Sequence, residues 1–221
     1  MDQGKIKGWV SSTWKDNKGF IFFLILMFAF RSTFADWNTV PTGSMKPTIL
    51  IGDRILVNKM AYNIHFPFTH FSLLKLADPE RGDIIVFDSE VSDKRLVKRV
   101  VGMPGDRVEL LGNQLIISGK ALAYESLSNN ASSSDYQEDL LGVKHTIRVN
   151  NSGSPYSSFD TVIVPEGHYL AMGDNRDNSA DSRVIGFIPR AEIVGRSSTV
   201  VLSFNYDNYY IPRSGRYLQT L

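Results

Sequence analysis

The sequence predicts a mostly β protein. A domain of short antiparallel strands carries an inserted smaller β subdomain and is preceded by one N-terminal transmembrane helix. Three observations point to this. A basic N-terminal stretch runs into an unbroken apolar segment, Gly19 to Phe30. Beyond it, short apolar runs alternate with turns rich in Gly, Pro and Asp, with little helical periodicity. From about Gly112 to Pro165 the texture shifts to Ser- and Asn-rich segments between short apolar pieces.

Taken in order, Lys5, Lys7, Lys15 and Lys18 precede the apolar run, opposed only by Asp2 and Asp16. The run itself holds 12 residues, short of the ~20 that a full span prefers. Extension to Ala35 takes in Arg31, which can snorkel to the headgroups, and Trp37 follows where an interfacial aromatic belongs. The expectation is a cytoplasmic N-terminus over 1–18 and a single-pass anchor over 19–35 in the inner (cell) membrane. The lysines then place the rest of the chain on the outer, periplasmic side. Two alternatives compete: a cleaved signal peptide, with Thr33-Phe34-Ala35 as its small-x-small site, and a buried core helix.

Ile49–Ile51 and Arg54–Val57, separated by Gly52-Asp53, read as two short strands or one bent strand. Asp83–Phe87 and Leu96–Val101 are further strands, the second closed by Gly102-Met-Pro-Gly-Asp106. Arg107–Leu111 and Gln114–Ile117 read as a hairpin about Gly112-Asn113. In the inserted stretch, Ser126–Ser134 and Asn150–Pro155 read as polar, mobile loops around pieces such as His145–Val149. Core patterning resumes at Thr161–Val164 and His168–Met172, then Val184–Pro189 and Ser198–Leu202. The division expected is a main β domain over 36–111 and 166–221, with an insertion over 112–165. Tyr62–Phe71, with its clustered aromatics, reads either as an apolar lip at a bilayer surface or as ordinary core.

Composition narrows the function. Of 221 residues 43% are apolar, enough for a sizeable core, and the formal net charge of +1 gives no field suited to nucleic acid. The absence of cysteine excludes thiol catalysis, thiolate metal sites and disulfides. None of the four histidines stands in a Ser/His/Asp context, and there is no Gly-x-Ser-x-Gly elbow. Gly43-Ser-Met-Lys-Pro-Thr48 lies close behind the apolar stretch, with Lys98-Arg99 and Gly173-Asp-Asn-Arg-Asp177 further on. A serine needs a base, and an amine can serve in place of imidazole. With an ordinary pKa near ~10.4 a lysine is almost wholly protonated at neutral pH, so it serves only where burial lowers that value. Leu96, Val97, Val100 and Val101 flank Lys98, and Leu96 and Val100 share its face of a strand. The competing reading is a strand lysine facing solvent. The acidic Gly173–Arg183 loop lacks the spacing, central Gly and closing Glu of an EF-hand, so no metal is expected.

Pro41–Thr48, Arg81-Gly-Asp83, Lys98–Asp106 and Gly173–Arg183 resemble, in order, the successive boxes of type I signal peptidases, the bacterial leader peptidases. The resemblance runs from Val40 to Gly195 with an insertion. It implies a Ser44 nucleophile, a Lys98 general base, and Ser179 as the group orienting that lysine. Thr42 stands where the family often has serine, its hydroxyl joining the Ser44 N–H in an oxyanion hole. Asp181 and Arg183 match an ion pair holding the third box, and Asp174 and Arg99 match scaffolding charges. Val40, Met45, Ile49 and Val97 are implied walls of a substrate pocket beside a strand edge. The resemblance further implies a signal-peptidase-like fold, no cofactor, preprotein signal peptides as substrates, cleavage after Ala-x-Ala-like sites, contact with membrane lipid, and a monomer. A specialised pilin- or propeptide-processing relative, a self-cleaving Ser-Lys protease of the repressor class, and a non-catalytic membrane-tethered binding domain remain as alternatives. The short apolar N-terminus has no room for the DNA-binding domain and cleavage linker that the repressor class requires.

Overall fold

The computed structural model describes residues 3–66, 69 and 72–221, with 3–16 and 65 described by backbone alone. Helix α1 (Gln3–Thr33) opens the chain. Phe20, Phe22, Phe23, Ile25, Leu26, Phe28 and Phe30 stand on its surface, each more than half exposed. Among the described residues no helix is long and apolar enough to cross a membrane. The helix expected from the sequence is thus present while the span expected over 19–35 is not shown, and the side chains of Lys5, Lys7 and Lys15 lie outside the described residues. The helix end is tied to the domain that follows. Lys59 Nζ donates to the carbonyls of Arg31 (3.0 Å) and Ser32 (3.3 Å) in the last turn of the helix. Arg31 pairs with Asp36 and lies 4.3 Å from the Trp37 ring centroid.

The strands follow as β1 (Ala35–Thr39), β2 (Asp53–Asn58), β3 (Asn63–His65), β4 (Ser72–Lys75), β5 (Ile84–Ser89) and β6 (Lys94–Gly102). Next come β7 (Arg107–Leu111), β8 (Gln114–Ile117), β9 (Lys120–Ala121), β10 (Ala123–Asn129), β11 (Ser133–Leu140), β12 (Val143–Asn150) and β13 (Phe159–Ile163). After β14 (His168–Met172) and the short helix α2 (Ser182–Ile185) come β15 (Ile188–Pro189), β16 (Ile193–Asn205), β17 (Ile211–Pro212) and β18 (Gln219–Thr220). The main sheet has the order β1-β2-β16-β5-β6-β14-β15, with β17 and β18 paired to β16. A second sheet, β13-β7-β8-β9, a third, β10-β11-β12, and the hairpin β3-β4 complete the fold, all antiparallel. The protein is thus mostly β, as its pattern of short runs and turns predicts.

β5 shows how the sequence sets this arrangement. Its unbroken apolar run is buried on both faces. Ile84 and Val86 join one cluster with Val40, Met45, Ile49 and Val200, while Ile85 and Phe87 join another with Val100, Tyr169 and Ala171. Two expectations change. Ile49–Ile51 is not a strand, because the Ile49 N–H turns back to the Met45 carbonyl (2.9 Å) and buries Ile49 in the first cluster. Ser126–Ser134 is a loop only at 130–132: β10 runs to Asn129 and β11 starts at Ser133, so most of its Ser and Asn residues stand on a sheet. Of the aromatic Tyr62–Phe71 stretch, Tyr62 is core, with its hydroxyl donating to Asp83 (2.7 Å), and Phe66 is exposed. Phe68 and Phe71 lie outside the described residues.

Candidate active site

Ser44 sits in the turn between β1 and β2. Val40 and Asp53 pair at its base, with Val40 N donating to Asp53 O and Gly52 N to Val40 O, each at 3.0 Å. Within it, Lys46 N donates to Gly43 O (3.1 Å), and buried Met45 and Ile49 pin it to the core. The loop after β14 grips the same turn. Asn175 N donates to Ser44 O (3.0 Å) and Asn175 Nδ2 to Gly43 O (2.9 Å). Gly173 lets the two backbones meet: a Cβ there would lie 2.4 Å from Ser44 O and 2.3 Å from Ser179 Oγ.

Lys98 lies on β6 opposite Ile85, on the face it shares with Leu96 and Val100, and is 2% exposed. Its Nζ donates to Ser44 Oγ (3.0 Å) and to Val97 O (2.9 Å). Desolvation pushes its pKa down to about 8, with Asp181 and Asp174 opposing and Arg183 helping. The amine is thus buried and its basicity lowered, as the apolar flanks of Lys98 predict. A weakly basic amine is held in hydrogen-bond contact with a hydroxyl, the arrangement that general-base activation of a serine needs.

The remaining predicted site residues fall around this pair. Ser179 Oγ is buried without a well-formed hydrogen bond, close enough to Asp181 to help keep that carboxyl ionised; Lys98 is not its partner. Asp181 caps α2 and pairs with Arg183 through Nε–Oδ1 (2.8 Å) and Nη2–Oδ2 (2.7 Å), while its Oδ2 accepts from Gly173 N (2.9 Å). Burial opposes its ionisation, but Arg183, the Gly173 N–H and Ser179 together outweigh burial and hold the carboxyl below its ordinary value. Arg99 meets Asp174 in a bidentate pair of 2.9 and 2.8 Å, both nearly buried, with the same balance between burial and guanidinium. Val40, Met45 and Ile49 are buried beneath the turn, with Val97 partly exposed against them. Thr42 stands exposed at the start of the turn.

Reading the sequence missed a buried polar chain that connects the third sheet to the site. Glu138 on β11 forms a two-fold pair with Arg176 (2.8 and 2.6 Å) and accepts from Tyr124 Oη (2.6 Å). His145 Nε2 on β12 lies 3.1 Å from Glu138 Oε2 and 3.9 Å from Asp174 Oδ1. Asp174 in turn accepts from Thr48 Oγ1 (2.5 Å), four residues past Ser44. Arg176 and Thr48 lie in the recognisable motifs, but Glu138 and His145 stand in polar strands where nothing local marks them.

The model of the family described as signal peptidase, peptidase S26 matches residues 14–202. Signal peptidase I of Pseudomonas fluorescens is 39% identical over 204 residues, covering 85% of this chain and 72% of that protein. The Pseudomonas aeruginosa enzyme of the same name is 36% identical with the same coverage, and that of Aquifex aeolicus is 34% identical, covering 83% and 82%. A crystal structure of a signal peptidase I from Enterococcus faecalis V583 is 30% identical, covering 55% of this chain and 98% of that one, with a TM-score of 0.37. By its family match and these relatives, the chain belongs to the signal peptidase I family, peptidase S26, and is a serine endopeptidase.

Proposed function

We propose that the protein removes signal peptides from exported preproteins after small-x-small sites, with Ser44 as nucleophile and neutral Lys98 as general base. The observation that carries this reading is the 3.0 Å contact between Lys98 Nζ and Ser44 Oγ, made by an amine that is 2% exposed. Ser44 Oγ attacks the scissile carbonyl as its proton passes to Nζ. The Ser44 N–H and the Thr42 hydroxyl meet the developing oxyanion, each donor worth about 2.7–4 kcal/mol. Thr42 is exposed, so its side chain closes on the oxyanion when substrate covers the turn. Lys98 then gives the proton to the leaving amine, takes one from the water that attacks the acyl-enzyme, and returns it to Ser44 Oγ as the acyl–oxygen bond breaks. Ser179, buried beside Asp181 without a bond to Lys98 in the resting site, turns its hydroxyl to the lysine when substrate binds. The pairs Asp181–Arg183 and Asp174–Arg99 hold the loop against the turn. Val40, Met45, Ile49 and Val97 form the floor under small substrate side chains.

The same reading makes α1 a single-pass anchor in the inner membrane with its N-terminus in the cytoplasm. A row of exposed phenylalanines on a helix that precedes the site supports it. The anchored protein acts as a monomer without a cofactor, on a substrate held in the same lipid. Residues 112–165 are an insertion in the catalytic domain 36–111 and 166–221, and the separate β10-β11-β12 sheet supports that division. The test is incubation of the detergent-solubilised chain with a preprotein. Wild type should release the mature protein and Ser44→Ala should not. Equal cleavage by both removes Ser44 as nucleophile.

A further inference from the structure

The turn that carries Ser44 is held at its base from a second side, by residues far along the chain that lie outside the four motifs. Asp53, fully buried at the start of β2, accepts from Leu50 N (2.8 Å). Arg216 pairs with Asp53 through Nη2–Oδ2 (2.6 Å) and Nε–Oδ1 (3.2 Å), and its Nη2 also donates to Thr48 O (2.9 Å). Thr48 is therefore fixed at both ends, by Asp174 at its hydroxyl and by Arg216 at its carbonyl. The segment carrying Arg216 is itself seated. β18 pairs with β16, and Leu221 packs on the cluster containing Val40, Met45 and Ile49.

We propose that Arg216 is a positioning residue. It fixes Thr48 and Asp53 so that the Met45–Ile49 turn holds Ser44 Oγ within reach of Lys98. The inference rests on the reading of Ser44 and Lys98 given above. A guanidinium suits the task because its planar fork reaches a carboxylate and a carbonyl together, which a point ammonium does not. Arg216 contacts neither Ser44 nor Lys98, so it governs the placement of the hydroxyl and leaves the basicity of the amine alone.

The experiment measures kcat, KM and the pH profile of preprotein cleavage by the full chain in detergent. It compares wild type, Arg216→Ala, Arg216→Lys, Ser44→Ala and Tyr217→Ala, a neighbour that is 67% exposed. Arg216→Ala should lower kcat about tenfold or more, as misplacement of a reacting group does, with KM within about twofold. The midpoint of the acid limb should stay at the wild-type pH, and Tyr217→Ala should match wild type. Arg216→Lys should fold, since it keeps a cation on Asp53, and still lose several-fold in kcat; this variant decides the matter where Arg216→Ala does not fold. Wild-type kcat per folded molecule in Arg216→Lys, or a change in melting temperature or KM alone, overturns the proposal. Undiminished cleavage by Ser44→Ala instead overturns the underlying reading of the nucleophile.

Discussion

At the scale of the residue, the telling property is that Lys98 costs the fold stability. Its pKa falls from 10.5 to about 8, chiefly because burial disfavours the ammonium. The unfolded chain therefore holds a proton between pH 8 and 10.5 that the folded chain has released. Stability rises with pH across that window, and below it the penalty is present in full. At ~1.4 kcal/mol per unit the penalty is on the order of 3 kcal/mol. Lys98→Met should accordingly raise the melting temperature at pH 7 while abolishing turnover, and the gain should fade as the pH approaches 10.5. A variant no more stable than wild type at pH 7 would show that the folded chain does not desolvate the amine. This much was legible in the sequence, since the apolar flanks of Lys98 are local. The burial of Ser179 beside Asp181 was not, because it depends on how a loop packs against its own capping carboxylate.

At the scale of the element, the site is a contact between a turn and a loop, and Gly173 sets their separation. No positive φ is required of it; what matters is space. A Cβ 2.4 Å from Ser44 O and 2.3 Å from Ser179 Oγ cannot be accommodated without moving backbone. The displacement would pull Asn175 from the Ser44 carbonyl. Gly173→Ala should lose about 10²-fold in kcat and destabilise by roughly 1–3 kcal/mol; a near-wild-type enzyme would refute the close approach. The sequence marked this segment as a polar loop after a strand, and the fold agrees. Its clamp on Gly43 and Ser44 joins residues 132 apart, a separation that periodicity does not bridge. Local reading went wrong where side-chain burial reshaped backbone, at Ile49, and where polar strands imitated loops, at Ser126–Asn129.

At the scale of the whole molecule, two sheets converge on one serine. The main sheet supplies Lys98, the β1–β2 turn supplies Ser44, and the loop after β14 joins them. The third sheet reaches the same loop through Glu138 and Arg176, 0% and 1% exposed. Two buried charges remain ionised there because each is the other's counterion, and the cost of separating them ties the β10-β11-β12 sheet to the site. The short apolar runs of β5 and β6 made the main sheet readable, and the boxes marked the residues proposed for its chemistry. Glu138 and His145 were silent because their partners come from another part of the chain. The three grips on the Ser44 turn, from Asn175, Asp174 and Arg216, have a common result: a hydroxyl held beside an amine whose basicity burial lowers.

The pH–rate profile of preprotein cleavage tests that result most directly. For wild type, kcat/KM should climb about tenfold per pH unit on the acid side and level off above an apparent pKa of about 8. Lys98→Arg should be inactive throughout, because guanidinium keeps its proton. A wild-type profile that stays flat through neutral pH, or sustained turnover by Lys98→Arg, would contradict a neutral lysine as the base.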